Sequence, residues 1–402
     1  MNDISTIALV EWNWIGHHPG YFKLSVRALL ELGCTVLALC PKPEEVDLSL
    51  QDLDAVARAR LTLGFLAWAP APRGCPRRVE RRVQTLRSVY QTRRRLRQWE
   101  VEHGKAIDLV FFACIYDYQF RRFREAEWLL PYRWSGLYLH CRAFRMPGSV
   151  IPQSGELPCP ERIFRSPKLH SIAIFDDGAA KALERLSSRR VVVFPDLTDE
   201  EVVDQPTPLT TKIRRFASGA PIVAALGHLQ HTKGVTTLAR LALDPVNSDL
   251  CFVFAGEIDW HSFKSEDRAL LSSLMDRCPN AYTHFARISD ERIFNSVIQA
   301  CDVIFAAYLD FPNSSGILTK AAVFRKPIIV SDGYLMAERT RKYDMGEVVP
   351  EGDVQAAGSA IRKILKDQGS WLLEHRPKWQ EYHREHSYGR LVTSYAALLA
   401  AG

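Results

Sequence analysis

The chain has 402 residues, 47% of them hydrophobic and 24% charged, with a formal net charge of +6. This is the composition of an ordinary globular protein and excludes a disordered one, while the length exceeds one ordinary core and suits two domains of similar size. No apolar run approaches the roughly twenty residues of a membrane span, and an excess of +6 without a nucleic-acid module argues against a nucleic-acid partner.

Met1 to Thr6 lacks a basic n-region, so no secretory leader is expected. Ile7 to Val10 reads as a strand, followed by a long turn, Glu11 to Gly20, that holds two tryptophans, Gly16, His17, His18 and Gly20. Tyr21 to Leu32 then reads as a helix with Phe22, Val26, Leu29 and Leu30 on one face, ended by Gly33, and Thr35 to Leu39 starts the next strand. Strand, glycine loop, helix and strand make a Rossmann-like opening. Two adjacent histidines beside two glycines mark Gly16, His17, His18 and Gly20 as a ligand-facing loop.

Ten arginines from Arg73 to Arg97 face only Glu80 in the next segment, and Val79, Val83, Leu86, Tyr90 and Leu96 recur there at near-helical spacing. The segment is expected to be a basic amphipathic helix, either with a solvated face or in contact with anionic membrane through Arg77 to Arg97. Further strands are expected at Leu109 to Ala113, Gly136 to Leu139, Ser171 to Phe175 and Val191 to Phe194. His140 stands just past the second of these, where open parallel sheets hold ligands. Asp199 to Ser218, rich in acids and containing Pro206 and Pro208, interrupts all periodicity and reads as the link between domains.

In the second half, Pro221 to Leu226 is a short apolar strand that runs into Gly227-His228-Leu229-Gln230-His231-Thr232-Lys233-Gly234 and then a helix from Val235 to Leu243. A glycine turn that delivers a lysine beside a helix start offers a cation and backbone donors together, as a diphosphate requires. Strands are expected at Cys251 to Ala255 and Val303 to Ala306. Asn313-Ser314-Ser315-Gly316 then forms a turn ahead of a helix from Ile317 to Phe324, and a buried strand runs from Lys326 to Val330. Trp371 to Leu399 is helical in composition. The nine cysteines show no C-x-x-C spacing and read as reduced thiols of a cytoplasmic protein, with no metal site expected.

The order strand, G-x-x-x-x-x-K-G, helix, strand ending in Ala255-Gly256-Glu257, then S-S-G-I-L-x-x-A resembles the C-terminal half of GT-B glycosyltransferases, in particular the family-four retaining (group 1) enzymes. The likeness covers about residues 216 to 365 well and the first half loosely. It implies an α/β protein with two Rossmann-like domains facing each other across a cleft. Residues 1–205 would be the acceptor-binding domain and 206–370 the nucleotide-sugar domain, with a terminal helix in 371–402 returning to the first. It further implies a metal-independent transferase that takes a nucleotide-diphosphate sugar as co-substrate, with no other cofactor, and a carbohydrate, lipid-linked or small-molecule acceptor. Such an enzyme is expected in the cytoplasm or peripherally at the inner membrane face. Lys233 would neutralise the donor diphosphate together with Gly227, His228 and the backbone of Ser315, Gly316 and Ile317, and His140 would touch the transferred sugar.

Two departures stand out. His228 replaces the arginine usual after the first glycine. Lys320 stands where a glutamate normally holds the ribose hydroxyls, and Pro312, eight residues earlier, replaces a second glutamate. A lysine cannot accept hydrogen bonds from hydroxyls. Asp310 or Glu338 then supplies the carboxylate, or the donor is held differently, or catalysis is lost. The competing readings are accordingly a GT-B-shaped binding protein without activity and a sugar-nucleotide epimerase.

Overall fold

A computed structural model describes residues 5–14, 16, 18–115, 127–139, 141, 144, 157 and 161–400. The chain divides into two compact units: residues 1–195 with 386–402, and residues 196–385.

Unit 1 is built on strands β1 (Thr6–Val10), β2 (Thr35–Cys40), β3 (Leu61–Phe65), β4 (Leu109–Ile115), β5 (Trp134–Tyr138), β6 (Leu169–Ile174) and β7 (Val191–Val193). They form one sheet in the order β3-β2-β1-β4-β5-β6-β7, every pair parallel. β1, β4, β5 and β6 are buried along their whole length, as a parallel sheet covered on both faces requires. Helices α1 (His18–Glu31), α2 (Pro43–Ser49), α3 (Ala55–Ala59), α4 (Arg77–His103) and α5 (Asp177–Ser187) connect them. α1 begins three residues ahead of the expected helix, so His18 and Gly20 lie in its first turn and not in a loop.

Unit 2 contains α6 (Pro208–Ala217), β8 (Ile222–Leu226), α7 (Val235–Leu243), β9 (Cys251–Ala255), α8 (Ser265–Arg277), β10 (Ala281–His284), α9 (Glu291–Ala300) and β11 (Val303–Ala306). It continues with α10 (Gly316–Val323), β12 (Ile328–Ser331), α11 (Leu335–Lys342), β13 (Gly346–Val349), α12 (Val354–Lys366), α13 (Gln368–His375) and α14 (Trp379–Glu385). The sheet order is β10-β9-β8-β11-β12-β13, again all parallel. The stretch expected to lack periodicity holds α6. Pro208 occupies the first helical turn, where its missing N–H costs nothing, and Thr207 caps the helix by accepting from the Thr210 N–H at 3.0 Å. The helical tail is broken at Pro377 and again near Ser387. Its last segment, α15 (Tyr388–Leu399), belongs to unit 1 and packs on α1 and β7, with the Ser394 hydroxyl donating to the Val193 carbonyl at 3.1 Å.

In each sheet the strand order reverses once, between β1 and β4 and between β8 and β11. The C-terminal ends of the strands at such a reversal splay their loops apart and leave a crevice.

Candidate functional site

In unit 2 the crevice is shaped by backbone approaches that only glycine permits. Gly256, which follows β9 with φ +140, lies so close to the loop after β8 that a Cβ there would sit 1.8 Å from the Gly227 carbonyl oxygen. Gly234 (φ +67) approaches the end of β11 equally tightly, with Ala307 O 2.1 Å from a would-be Cβ. The Leu309 N–H donates to Thr232 O at 2.9 Å and ties the two loops at the reversal point. The G-x-x-x-x-x-K-G spacing is thus a closely packed hairpin of loops that delivers Lys233 to the β8/β11 gap.

Lys233 Nζ sits 3.9 Å from the centroid of the Tyr308 ring and 4.3 Å from that of Phe311. No acidic side chain among the described residues pairs with it, and burial lowers its pKa to about 7. Aromatic faces attract a cation but cannot replace an anion. On the far side of Tyr308, whose own pKa burial pushes up to about 12, the phenol oxygen lies 3.4 Å from Ser315 Oγ. Tyr308 therefore bridges the lysine to the start of α10, where Ser315 is the N-cap but no side chain caps the helix. α7 likewise starts at Gly234 without a side-chain cap. Two helix starts with open amides and one unpaired ammonium converge on the crevice, an arrangement suited to a di-anion.

The Ser314-Ser315-Gly316 turn is held by a buried polar network that sequence reading missed. Arg339 of α11, 2% exposed, donates from Nη1 to Ser314 Oγ at 2.9 Å and faces Asp196 Oδ2 at 3.9 Å. Ser314 also donates to the Asp196 carboxylate. Thr319 of α10 donates to the Asp196 carbonyl at 3.0 Å and lies 3.3 Å from the buried Tyr382 hydroxyl. In the sequence Arg339 looks like one more surface charge in AERTRK.

Of the candidate ribose contacts, Asp310 is tied to the loop after β12. It is exposed just past β11, and its Oδ1 accepts from the Tyr334 hydroxyl at 3.2 Å. Glu338 is exposed on α11. Lys320 is directed elsewhere: its Nζ donates to Asn295 Oδ1 at 2.5 Å and to the Asp199 carbonyl at 3.2 Å, and pairs with Glu291 Oε2 at 3.0 Å. Asn295 in turn donates to the carbonyls of Asp199 and Glu201. Lys320 thus stitches α9, α10 and the 199–201 segment together. Lys320→Met is expected to lower unfolding free energy by about 1–3 kcal/mol, the cost of leaving buried acceptors unpaired, while changing nucleoside diphosphate affinity less than twofold; chemical denaturation and calorimetry on one preparation check both. His228 is exposed on the loop after β8.

In unit 1, Glu11 directly follows β1 and is 2% exposed. Its Oε2 receives His18 Nδ1–H at 2.8 Å and its Oε1 the Asn13 N–H at 2.9 Å. The Cys114 thiol of β4 also bonds it and is pushed well above the usual thiol range by burial and this carboxylate. The ligating atoms of Glu11, His18 and Cys114 lie within 4.8 Å of one another and could hold a metal ion. Shared hydrogen bonds already account for the cluster's polarity. Gly16 is exposed with φ +60, and Gly20 is exposed in α1. His17 and His140 fall outside the described residues.

Residues 208–386 match the family described as glycosyl transferases group 1. Over that span the chain resembles the group 1 glycosyl transferases. The matched stretch coincides with unit 2 over nearly its whole length and contains the lysine, the serine-glycine turn and both open helix starts. Over the full chain, the two Rossmann-like units have the GT-B fold. Sucrose-phosphate synthase from Thermosynechococcus elongatus superposes with a TM-score of 0.68 at 15% identity, covering 99% of this chain and 100% of that one. HepE of Anabaena in complex with UDP gives 0.63 at 12%, covering 99% and 100%. A trehalose-6-phosphate structure from E. coli bound with UDP-2-fluoro glucose gives 0.67 at 10%, covering 98% and 99%. No curated protein sequence matches the chain.

Proposed function

We propose that this protein transfers a sugar from a nucleotide-diphosphate donor, held by unit 2, to a hydroxyl of a carbohydrate or lipid-linked acceptor received by unit 1, with retention at the anomeric carbon. The observation that carries this reading is Lys233: a buried ammonium over two aromatic rings, without an acidic partner, between two uncapped helix starts at a sheet reversal. As the glycosidic bond breaks, charge builds on the departing diphosphate. Lys233 and the amides at Gly316 and Ile317 meet that charge without a metal, and preorganised donors of this kind stabilise it most in the transition state. Asp310, set beside Tyr334, accepts from the ribose hydroxyls in place of the absent glutamate. His228 lines the phosphate rim, and the β1–α1 segment with Gly16, His17 and Gly20 faces the acceptor, while buried His18 braces that segment through Glu11; His140 serves the transferred sugar. That solved structures of this fold hold UDP and UDP-glucose supports a uridine donor.

UDP should bind with micromolar affinity and, at 100 times its dissociation constant, stabilise the protein by about 2.7 kcal/mol. With UDP-sugars, UDP release should require an acceptor mixture. Interconversion of the sugar nucleotide without acceptor would point to epimerase chemistry, and no nucleotide binding at all would leave a binding protein of the same shape.

A further inference from the structure

We propose that the outward face of α4 docks on an anionic lipid bilayer. The inference is independent of the donor site. α4 contains nine arginines against three glutamates, a surplus equal to the formal +6 of the whole chain, so the rest of the protein is electrically balanced. Its buried face differs from the expected apolar stripe. Thr85, Ser88, Val89, Thr92, Leu96 and Trp99 point inward, with Trp12 Nε1 donating to Thr92 Oγ1 at 3.1 Å and Trp99 Nε1 to Thr62 Oγ1 at 3.1 Å.

This rotation leaves Arg87, Tyr90, Arg94, Arg97 and Val101 on the opposite face, at spacings of three and four residues. Tyr90 is 57% and Val101 85% exposed, and Arg87, Arg94, Arg95 and Arg97 make no hydrogen bond or ion pair with any described residue. The short 3-10 turn Glu127–Leu129 packs against α4 and exposes Trp128 at 70%. Nearby, Tyr132 donates to Glu100 at 2.7 Å and feels the charges of Arg97 and Arg93. Unpaired arginines interleaved with exposed Tyr, Trp and Val match the headgroup layer, where cations meet lipid phosphates and amphipathic rings sit at the boundary. A solvated helix face has no use for the apolar side chains.

The test is co-sedimentation of the full chain with phosphatidylcholine vesicles with and without phosphatidylglycerol. Binding is expected only to the anionic vesicles, with release near 1 M salt, where screening shortens to about 3 Å. Replacing Arg87, Arg94 and Arg97 by Gln should weaken partitioning about a hundredfold, the effect of roughly three surface cations, with thermal unfolding unchanged; replacing the same three by Lys should preserve binding. The proposal is overturned if the wild type stays in the supernatant with anionic vesicles at low salt, if neutral vesicles bind equally, or if the folded Gln variant binds as wild type. Retention on duplex DNA without vesicle binding would overturn it in favour of a nucleic-acid partner.

Discussion

Replacing Lys233 by Met should lower UDP affinity and turnover together, turnover by about 10²–10³-fold, the loss typical when one preorganised group facing developing charge is removed. The variant keeps the side-chain length and its contact with Tyr308 and Phe311, so folding should survive. pH gives a second signature. Burial lowers the folded-state pKa of Lys233 to about 7 from an ordinary 10.5, so between those values the unfolded chain binds more protons than the free folded protein. Its contribution to stability therefore rises as pH climbs from about 7 toward 10.5. Diphosphate binding works the opposite way, because it requires the protonated amine. Affinity should weaken as pH rises above 7, and binding near pH 8 should take up a proton, visible as a calorimetric enthalpy that changes with buffer ionisation enthalpy. A Lys233→Met protein with unchanged affinity, or wild-type binding without proton uptake, would remove Lys233 from the donor site.

Arg339→Met should be the most destabilising single change near the crevice. Arg339 is almost fully buried and serves Ser314 and the Asp196 carboxylate. Removing it takes the cation away from that carboxylate, and breaking one side of a buried pair costs about 3–5 kcal/mol. The loosened Ser314-Ser315-Gly316 turn should also lower UDP affinity, although Arg339 itself is placed behind that turn. Adding Asp196→Asn removes the charge that Arg339 neutralises and should recover a large part of the stability, which urea unfolding of the single and double variants measures. If the double variant is no more stable than Arg339→Met alone, the cost lies in packing and not in charge.

The central strands were legible from the sequence by itself because parallel strands covered on both faces must be continuous apolar runs, as IALV, IVAAL, CFVFA and VIFA are. The three strands that left no such signal, β3, β10 and β13, all lie at sheet edges, where LTLGF, AYTH and GEVV are half-exposed and need no apolar run. The residues proposed to meet the diphosphate were legible for a similar local reason: a glycine turn, a lysine and a helix start lie within eight residues. Tertiary structure decided what depends on partners far along the chain. Asn295 and Glu291 engage the Lys320 ammonium, Arg339 reaches Ser314 across twenty-five residues, and Tyr308 and Phe311 cradle Lys233 after a separation of more than seventy. The face of α4 belongs with these, since its inward side bears hydroxyls that bond groups far along the chain: Thr92 receives the Trp12 indole N–H and Ser88 the Ala69 N–H, while Trp99 donates to Thr62 of β3. Hydrophobic periodicity reports burial only where burial is apolar, and a helix that packs through threonine and serine hides its orientation until its neighbours are in place.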